Sequence, residues 1–249
     1  MRAIRNAGFD DVMIWWGEGF VHENNSSYEL FDAASACGLN VRTAHFPSFD
    51  TPSLWMEGDR GDAYENALIR ALRECGERNI SHLVVHTTKK LITPPPNATG
   101  ARRMAHAAEK AEKYGVDIAL ENTRFLEYNQ YLYDRVPSER MRFCFDCGHA
   151  NCFTPGQDPL ARFSDRLVTM HLHDNHGAAA GDEHLMPGEG SINFERLSAR
   201  LNALHPESYN LESHYSEKDR AMGLTMEEYL ARSYEALLKL ISGRLLQTA

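Results

Sequence analysis

The stretch that decides the fold is 168–189, VTMHLHDNHGAAAGDEHLMPGE. It opens as an apolar strand ending in His171, Leu172, His173 and Asp174. It then runs through a Gly/Ala loop to Asp182, Glu183 and His184, and closes on Gly188-Glu189-Gly190. Imidazoles and carboxylates at the carboxyl end of a strand, with a second set on the following loop, point to a metal site.

Outward from this stretch a unit recurs: amphipathic helix, glycine, short apolar strand, polar loop. Gly8, Gly38, Gly76 and Gly115 stand before strands at intervals of 30, 38 and 39 residues, the spacing of βα units rather than of a solenoid. Ser26 with Glu29, and Thr225 with Glu228, have the capping-box pattern; the first opens a helix to about Cys37 and the second a helix to about Leu246. Further helices are expected over Tyr64–Arg78, with Leu68, Leu72 and Cys75 on one face, and over Arg102–Tyr114. Strands are expected at 12–16, 41–46, 82–87, 117–122, 142–147, 167–173 and 208–213. Apolar strands separated by helices read as a parallel sheet buried on both faces.

The expected architecture is α/β, a single (β/α)₈ TIM barrel domain over 1–249. Seven strands are one short of eight, so a strand preceding the first helix is absent or the barrel stays open there. A doubly wound open sheet is the alternative, but no GxGxxG follows a strand. Three long loops, 47–62, 87–100 and 175–190, follow strand ends, and in a barrel they lie on the active face. Trp55 and Met56 could there cap a substrate.

Composition narrows the function. Lys and Arg total 26 against 35 Asp and Glu, a net charge of −9. Such a surface repels a phosphate backbone, and Arg102-Arg103 and Lys89-Lys90 are only pairs, which argues against a nucleic-acid partner. No apolar run reaches the roughly 20 residues of a membrane helix, and MRAIRNAGFDD lacks the core of a signal peptide; a cytoplasmic protein is expected. Five cysteines fit reduced thiols. Cys144 and Cys147 form one CxxC without a second, and read as core thiols.

The strands end in ligand-type residues: His45, His86, Glu121, Asp146 with His149, His171 with His173, and Glu212 with His214. Side chains alternate faces along a strand, so Val84 pairs with His86, Ala119 with Glu121, Cys144 with Asp146 and Asn210 with Glu212. The small or apolar partner then fills the barrel, and the polar one stands above it at the mouth. Each residue alone has a plain structural reading, such as an Arg124 or Arg142 salt bridge. Several carboxylates at one mouth need counter-charge, because buried charge is costly unpaired, and a divalent ion supplies it.

These motifs carry a resemblance. LENT at 120–123, DCGHAN at 146–151, HLHDN at 171–175 and DEHLMPGEG at 182–190 resemble the xylose isomerase-like TIM barrel superfamily. That group holds endonuclease IV, sugar and sugar-phosphate isomerases and epimerases, and related aldolases or dehydratases. The resemblance runs from about Gly8 to Glu212. In its ketose epimerase branch it implies one metal on Glu121, Asp146, His171 and Glu212, the two glutamates as acid/base pair, and His149 against substrate. Glu127 resembles a substrate-contacting Glu of that branch; the Arg usual after the metal His is missing from HDNHGAAAG. In the endonuclease IV branch the resemblance implies three zinc ions on His45, His86, Glu121, Asp146, His149, His171, Asp182, His184 and Glu212.

The expected function is therefore a divalent-metal-dependent sugar or sugar-phosphate isomerase or epimerase, with one to three ions of zinc, manganese or magnesium, a small-molecule substrate and scope for a homo-oligomer. The alternative is a multi-zinc phosphodiesterase acting on abasic DNA. A third reading is a non-catalytic sugar- or metal-binding barrel.

Overall fold

The structure, a computed structural model, describes residues 1–17, 21–22, 25–89 and 93–242. Helix α1 (Arg2–Ala7) leads into strand β1 (Ile14–Trp15); the short antiparallel pair β2 (Val21–His22) and β3 (Asn25–Ser26) precedes α2 (Ser27–Ala36). The chain then alternates: β4 (Thr43–His45), α3 (Asp59–Glu77), β5 (His82–Val85), α4 (Ala98–Tyr114), β6 (Asp117–Glu121), α5 (Leu126–Arg135) and β7 (Met141–Asp146). Two short helices, α6 (Cys147–Cys152) and α7 (Pro159–Phe163), lead to β8 (Leu167–Leu172), followed by α8 (Phe194–Leu204), β9 (Asn210–Leu211), α9 (Glu217–Ala221) and α10 (Met226–Ile241).

One seven-stranded parallel sheet runs in the order β1-β4-β5-β6-β7-β8-β9. This is a TIM-barrel sheet open between β1 and β9. A cavity of about 590 Å³ lies between those two edges, walled by Phe9, Val12, Met13, Tyr209 and Leu211 and covered by Tyr234 of α10. Every expected strand is present, though the two edge strands are shorter than the apolar pattern suggests. β1 and β9 each pair on one side only and over two residues, with a separate bridge from Asp11 to Asn40 ahead of β1.

The capping boxes at Ser26–Glu29 and Thr225–Glu228 both form; the end of the last expected helix, beyond 242, lies outside the described residues. The main core fills the space between sheet and helices, and a separate small cluster of Val84, Ala119 and Cys144, with Val168 against it, fills the barrel interior. These are the residues expected beneath His86, Glu121 and Asp146. Cys144 and Cys147 are buried free thiols.

Trp55 does not cap the mouth. The 47–62 loop folds a 3₁₀ turn over Thr51–Trp55, which turns the indole into the core. There its Nε1–H donates to the Thr87 carbonyl at 2.8 Å, and its ring meets Tyr128 edge-on. An aromatic this large gains more from burial than from covering a polar mouth. Among the described residues no helix is long and apolar enough to cross a membrane.

Candidate metal centre

Four consecutive strands end at one place. Glu121 closes β6, Asp146 closes β7, His171 lies in β8, and Glu212 follows β9. The parallel register sets Asp146 beside His171 and His171 beside Asn210, so the side chains rise at one level. One ligand atom from each of Glu121, Asp146, His171 and Glu212 lies within 4.8 Å of the others.

Glu121 is the hub, 1% exposed. Its Oε2 meets His45 Nε2 at 3.1 Å and His86 Nε2 at 2.7 Å; its Oε1 meets His149 Nδ1 at 3.1 Å and His171 Nδ1 at 3.3 Å. His171 Nδ1 also lies 3.0 Å from Glu212 Oε2 and 3.7 Å from Asp146 Oδ2. Asp182, on the loop after β8, places Oδ2 at 3.2 Å from both His149 Nε2 and His184 Nε2. The nine residues named from the sequence thus form one continuous network.

The tautomers show what the network is built to hold. His45 Nδ1 faces the Phe46 carbonyl at 2.8 Å, and His184 Nδ1 faces the Glu212 carbonyl at 2.9 Å. His149 Nδ1 faces the Asn122 carbonyl at 3.0 Å. A carbonyl only accepts, so each Nδ1 carries the proton, and in the neutral ring each Nε2 presents a lone pair. Each of those lone pairs points at a carboxylate oxygen, an acceptor against an acceptor. A proton or a cation must sit between them. A histidine oriented through one nitrogen by a backbone carbonyl, with the other free, is the usual arrangement of a metal ligand. The His171 Nε2 and His173 Nδ1 atoms are buried without a hydrogen-bond partner. Mixed imidazole and carboxylate donors fit a divalent ion.

The charges of the network act on one another's protons. Burial would raise the carboxyls of Glu121 and Asp146, yet the surrounding imidazoles hold both well below the usual range. Burial also opposes charge on His149, His171 and His184, and the carboxylates outweigh it, lifting His184 to about 9 and the other two well above the ordinary value. His45 goes the other way: desolvation lowers it despite Glu121.

The positioning roles of several residues escaped the sequence reading. His173, named there only as a ligand-type residue at a strand end, is fully buried; it points Nε2 at Asp146 Oδ1 across 3.1 Å and stacks on His184 with ring centroids 4.1 Å apart. His173, His184 and Glu212 offer a further set of ligand atoms within 4.8 Å of one another. Asn122 grips the backbone of Asp146 in both directions at 2.8 Å, tying the ends of β6 and β7 together. Asp174 accepts the backbone N–H groups of Asn175, Gly188, Gly190 and Ile192 at 2.8–3.1 Å. The HLHDN and PGEG motifs held the signal for Asp174, since a carboxylate and two glycines flank one loop. Glu127 is exposed on the first turn of α5. No described carboxylate pairs with Arg124 or Arg142.

Comparison with known proteins follows the same line. An uncharacterized protein of Sinorhizobium fredii, y4fM, is 29% identical over 141 residues, covering 51% of this chain and 45% of its own length. An uncharacterized protein of Methanocaldococcus jannaschii, MJ1311, is 31% identical over 112 residues, 41% of this chain and 38% of its own. The chain therefore matches less than half the length of these curated relatives. Among solved structures, a D-tagatose 3-epimerase-like protein superposes with a TM-score of 0.74 at 22% identity, over 98% of this chain and 92% of that one. An L-ribulose 3-epimerase gives 0.73 at 16%, over 96% and 87%. The D-allulose 3-epimerase of Methylomonas sp., in complex with D-allulose, gives 0.74 at 17%, over 98% and 89%. At these identities the likeness establishes the fold. The family model for the xylose isomerase-like TIM barrel matches residues 1–239, and the chain belongs to that family.

Proposed function

We propose that the protein is a divalent-metal-dependent sugar or sugar-phosphate isomerase or epimerase. The convergence of Glu121, Asp146, His171 and Glu212 on one point carries this reading. An ion held by these four side chains would supply Lewis-acid polarisation of a substrate carbonyl and its neighbouring hydroxyl. Glu212, with 16% of its side chain exposed, is the more open of the two glutamates and takes the proton from the carbon beside the carbonyl. His171 Nδ1, 3.0 Å from its Oε2, fixes the direction of that oxygen. Glu121 is the second acid/base group, its proton supplied through the imidazoles around it. Return of a proton to the opposite face gives epimerisation; relay between adjacent carbons gives aldose–ketose exchange. His149, between Glu121 and Asp182, holds a substrate hydroxyl. The shared fold with proteins named as ketose 3-epimerases agrees with this chemistry.

A second reading is a three-ion phosphodiesterase. It is favoured by the two outer groups, His45 with His86 on Glu121 and His149 with His184 on Asp182, which a single-ion reaction does not require. The net charge of −9 weighs against a DNA substrate.

The test is turnover of ketoses and ketose phosphates by Glu121→Gln and Glu212→Gln, alongside metal content of the protein purified without added metal or chelator. Each variant should lose about 10²–10⁴-fold in rate, the worth of a positioned acid or base. Near-normal turnover in both variants would refute the acid/base assignment. Three zinc ions per chain together with cleavage of abasic DNA would replace this reading by the second.

A further inference from the structure

Beyond the ligand network, the mouth carries a cation whose place is fixed. Arg124 stands three residues past Glu121, on a segment anchored from both sides. Asn122 before it is locked to Asp146, and the Thr123 hydroxyl bonds that of Thr88 at 2.6 Å. The Arg124 side chain is exposed, and its guanidinium lies 3.8 Å from the centroid of Phe153. The Phe153 ring in turn stacks on His149, centroids 5.0 Å apart and planes 28° off parallel. Arg124, Phe153 and His149 therefore form a column that rises from the acid/base network to solvent. The column sets the guanidinium on the His149 side of the mouth. No described carboxylate neutralises it.

A guanidinium lying over an aromatic face loses little rotamer freedom on binding, and its planar fork matches phosphate or carboxylate with two parallel hydrogen bonds. A ligand that places its reacting carbons between Glu121 and Glu212 and a hydroxyl at His149 would bring its far end one aromatic ring beyond, to Arg124.

We infer that Arg124 is a specificity-determining residue that binds an anionic terminus, phosphate or carboxylate, of the keto sugar on which the site acts. This rests on the isomerase reading above. The site then prefers sugars carrying negative charge at the end remote from the carbonyl, although the ligand network itself is acidic.

The experiment uses the metal-loaded full chain and three probes: a neutral ketopentose, its terminal phosphate ester, and the ketose with a terminal carboxylate. Binding is measured by calorimetry, and proton abstraction by deuterium exchange from solvent into the sugar, followed by NMR. At least one anionic probe should bind about tenfold or more tighter than the neutral sugar, as expected for a bidentate charged contact. Whichever anion wins identifies the terminus. Arg124→Gln should collapse the difference between anionic and neutral probes, and Arg124→Lys should restore part of it. Equal binding of all three by the wild type, binding of none, or an equal loss for all three in Arg124→Gln would overturn the assignment. An intact, Arg124-dependent preference without deuterium exchange on any probe would support the anion site and count against the isomerase reading.

Discussion

Glu121 shows how much one residue can be asked to do. It lies almost wholly out of solvent, yet four imidazoles surround it. Such a carboxylate survives burial only with positive charge beside it. Its type and place were legible in the sequence only collectively: alone it could have paired with Arg124 or Arg142, but several carboxylates ending neighbouring strands need more counter-charge than those two supply. What was not legible is the layer that steers the ligands. Gly148 is an example: a Cβ built there would overlap the His173 ring. His173 must stay because it faces Asp146 and carries the stack onto His184. Gly148→Ala should therefore displace His173 and cost about 1–3 kcal/mol, the usual penalty of overpacking. Metal affinity should fall with it as Asp146 loses its orienting partner. Urea unfolding and metal titration of the variant check this; an unchanged metal affinity would mean that His173 only fills space.

At the scale of elements, the site depends on one loop being rigid. Asp182 and His184 sit in the segment between β8 and α8, which has no helix or strand of its own. Asp174 supplies the missing order. Its two oxygens take the N–H groups of Asn175, Gly188, Gly190 and Ile192, and its own backbone pairs with Leu185 in both directions. Gly190 has no room for a Cβ beside Asp174. Asp174→Ala should strand four N–H groups at once and cost at least about 3 kcal/mol, since a buried donor left unpaired is worth roughly 1–3 and the more open ones less. The variant should become susceptible to protease within 176–192 and lose metal affinity, while Asp146 and His171 remain in place. Resistance equal to the wild type would show that the loop is held elsewhere. The sequence made the strands readable through glycine before and polar residue after each apolar run. It did not make strand length readable at β1 and β9, because an apolar pattern does not say that a strand has a neighbour on one side only. Trp55 was misplaced for a related reason: a 3₁₀ turn inside a long loop sends the indole inward, and no periodicity announces it.

Across the whole molecule, the sheet is open and the ligands straddle its weaker half. β9 has two residues, pairs only with β8 and forms one edge of the sheet. A 590 Å³ cavity lies on its other side. Glu212 follows it directly, whereas Glu121, Asp146 and His171 belong to longer strands of four or more described residues in the interior of the sheet. An ion shared by these four side chains would fasten the edge strand to three interior ones, a link that two backbone pairs supply poorly. Removing the ion should then act unevenly. A ligand present at a hundred times its dissociation constant stabilises by about 2.7 kcal/mol, and a chain of this size shifts by roughly 2–4 °C per kcal/mol. Chelation should lower the melting temperature by about 5–10 °C on that arithmetic, with recovery when metal is returned. Hydrogen exchange should locate the loss. Amides of 210–214 should lose protection in the chelated protein, and those of β6 and β7, deep in the sheet, should keep theirs. A melting temperature indifferent to chelator, with exchange at 210–214 unchanged, would mean that Glu212 shares no ion with Glu121, Asp146 and His171. The edge strand would then owe its place to its two backbone pairs with β8 and the hydrogen bond from Tyr229 of α10 to Ser213.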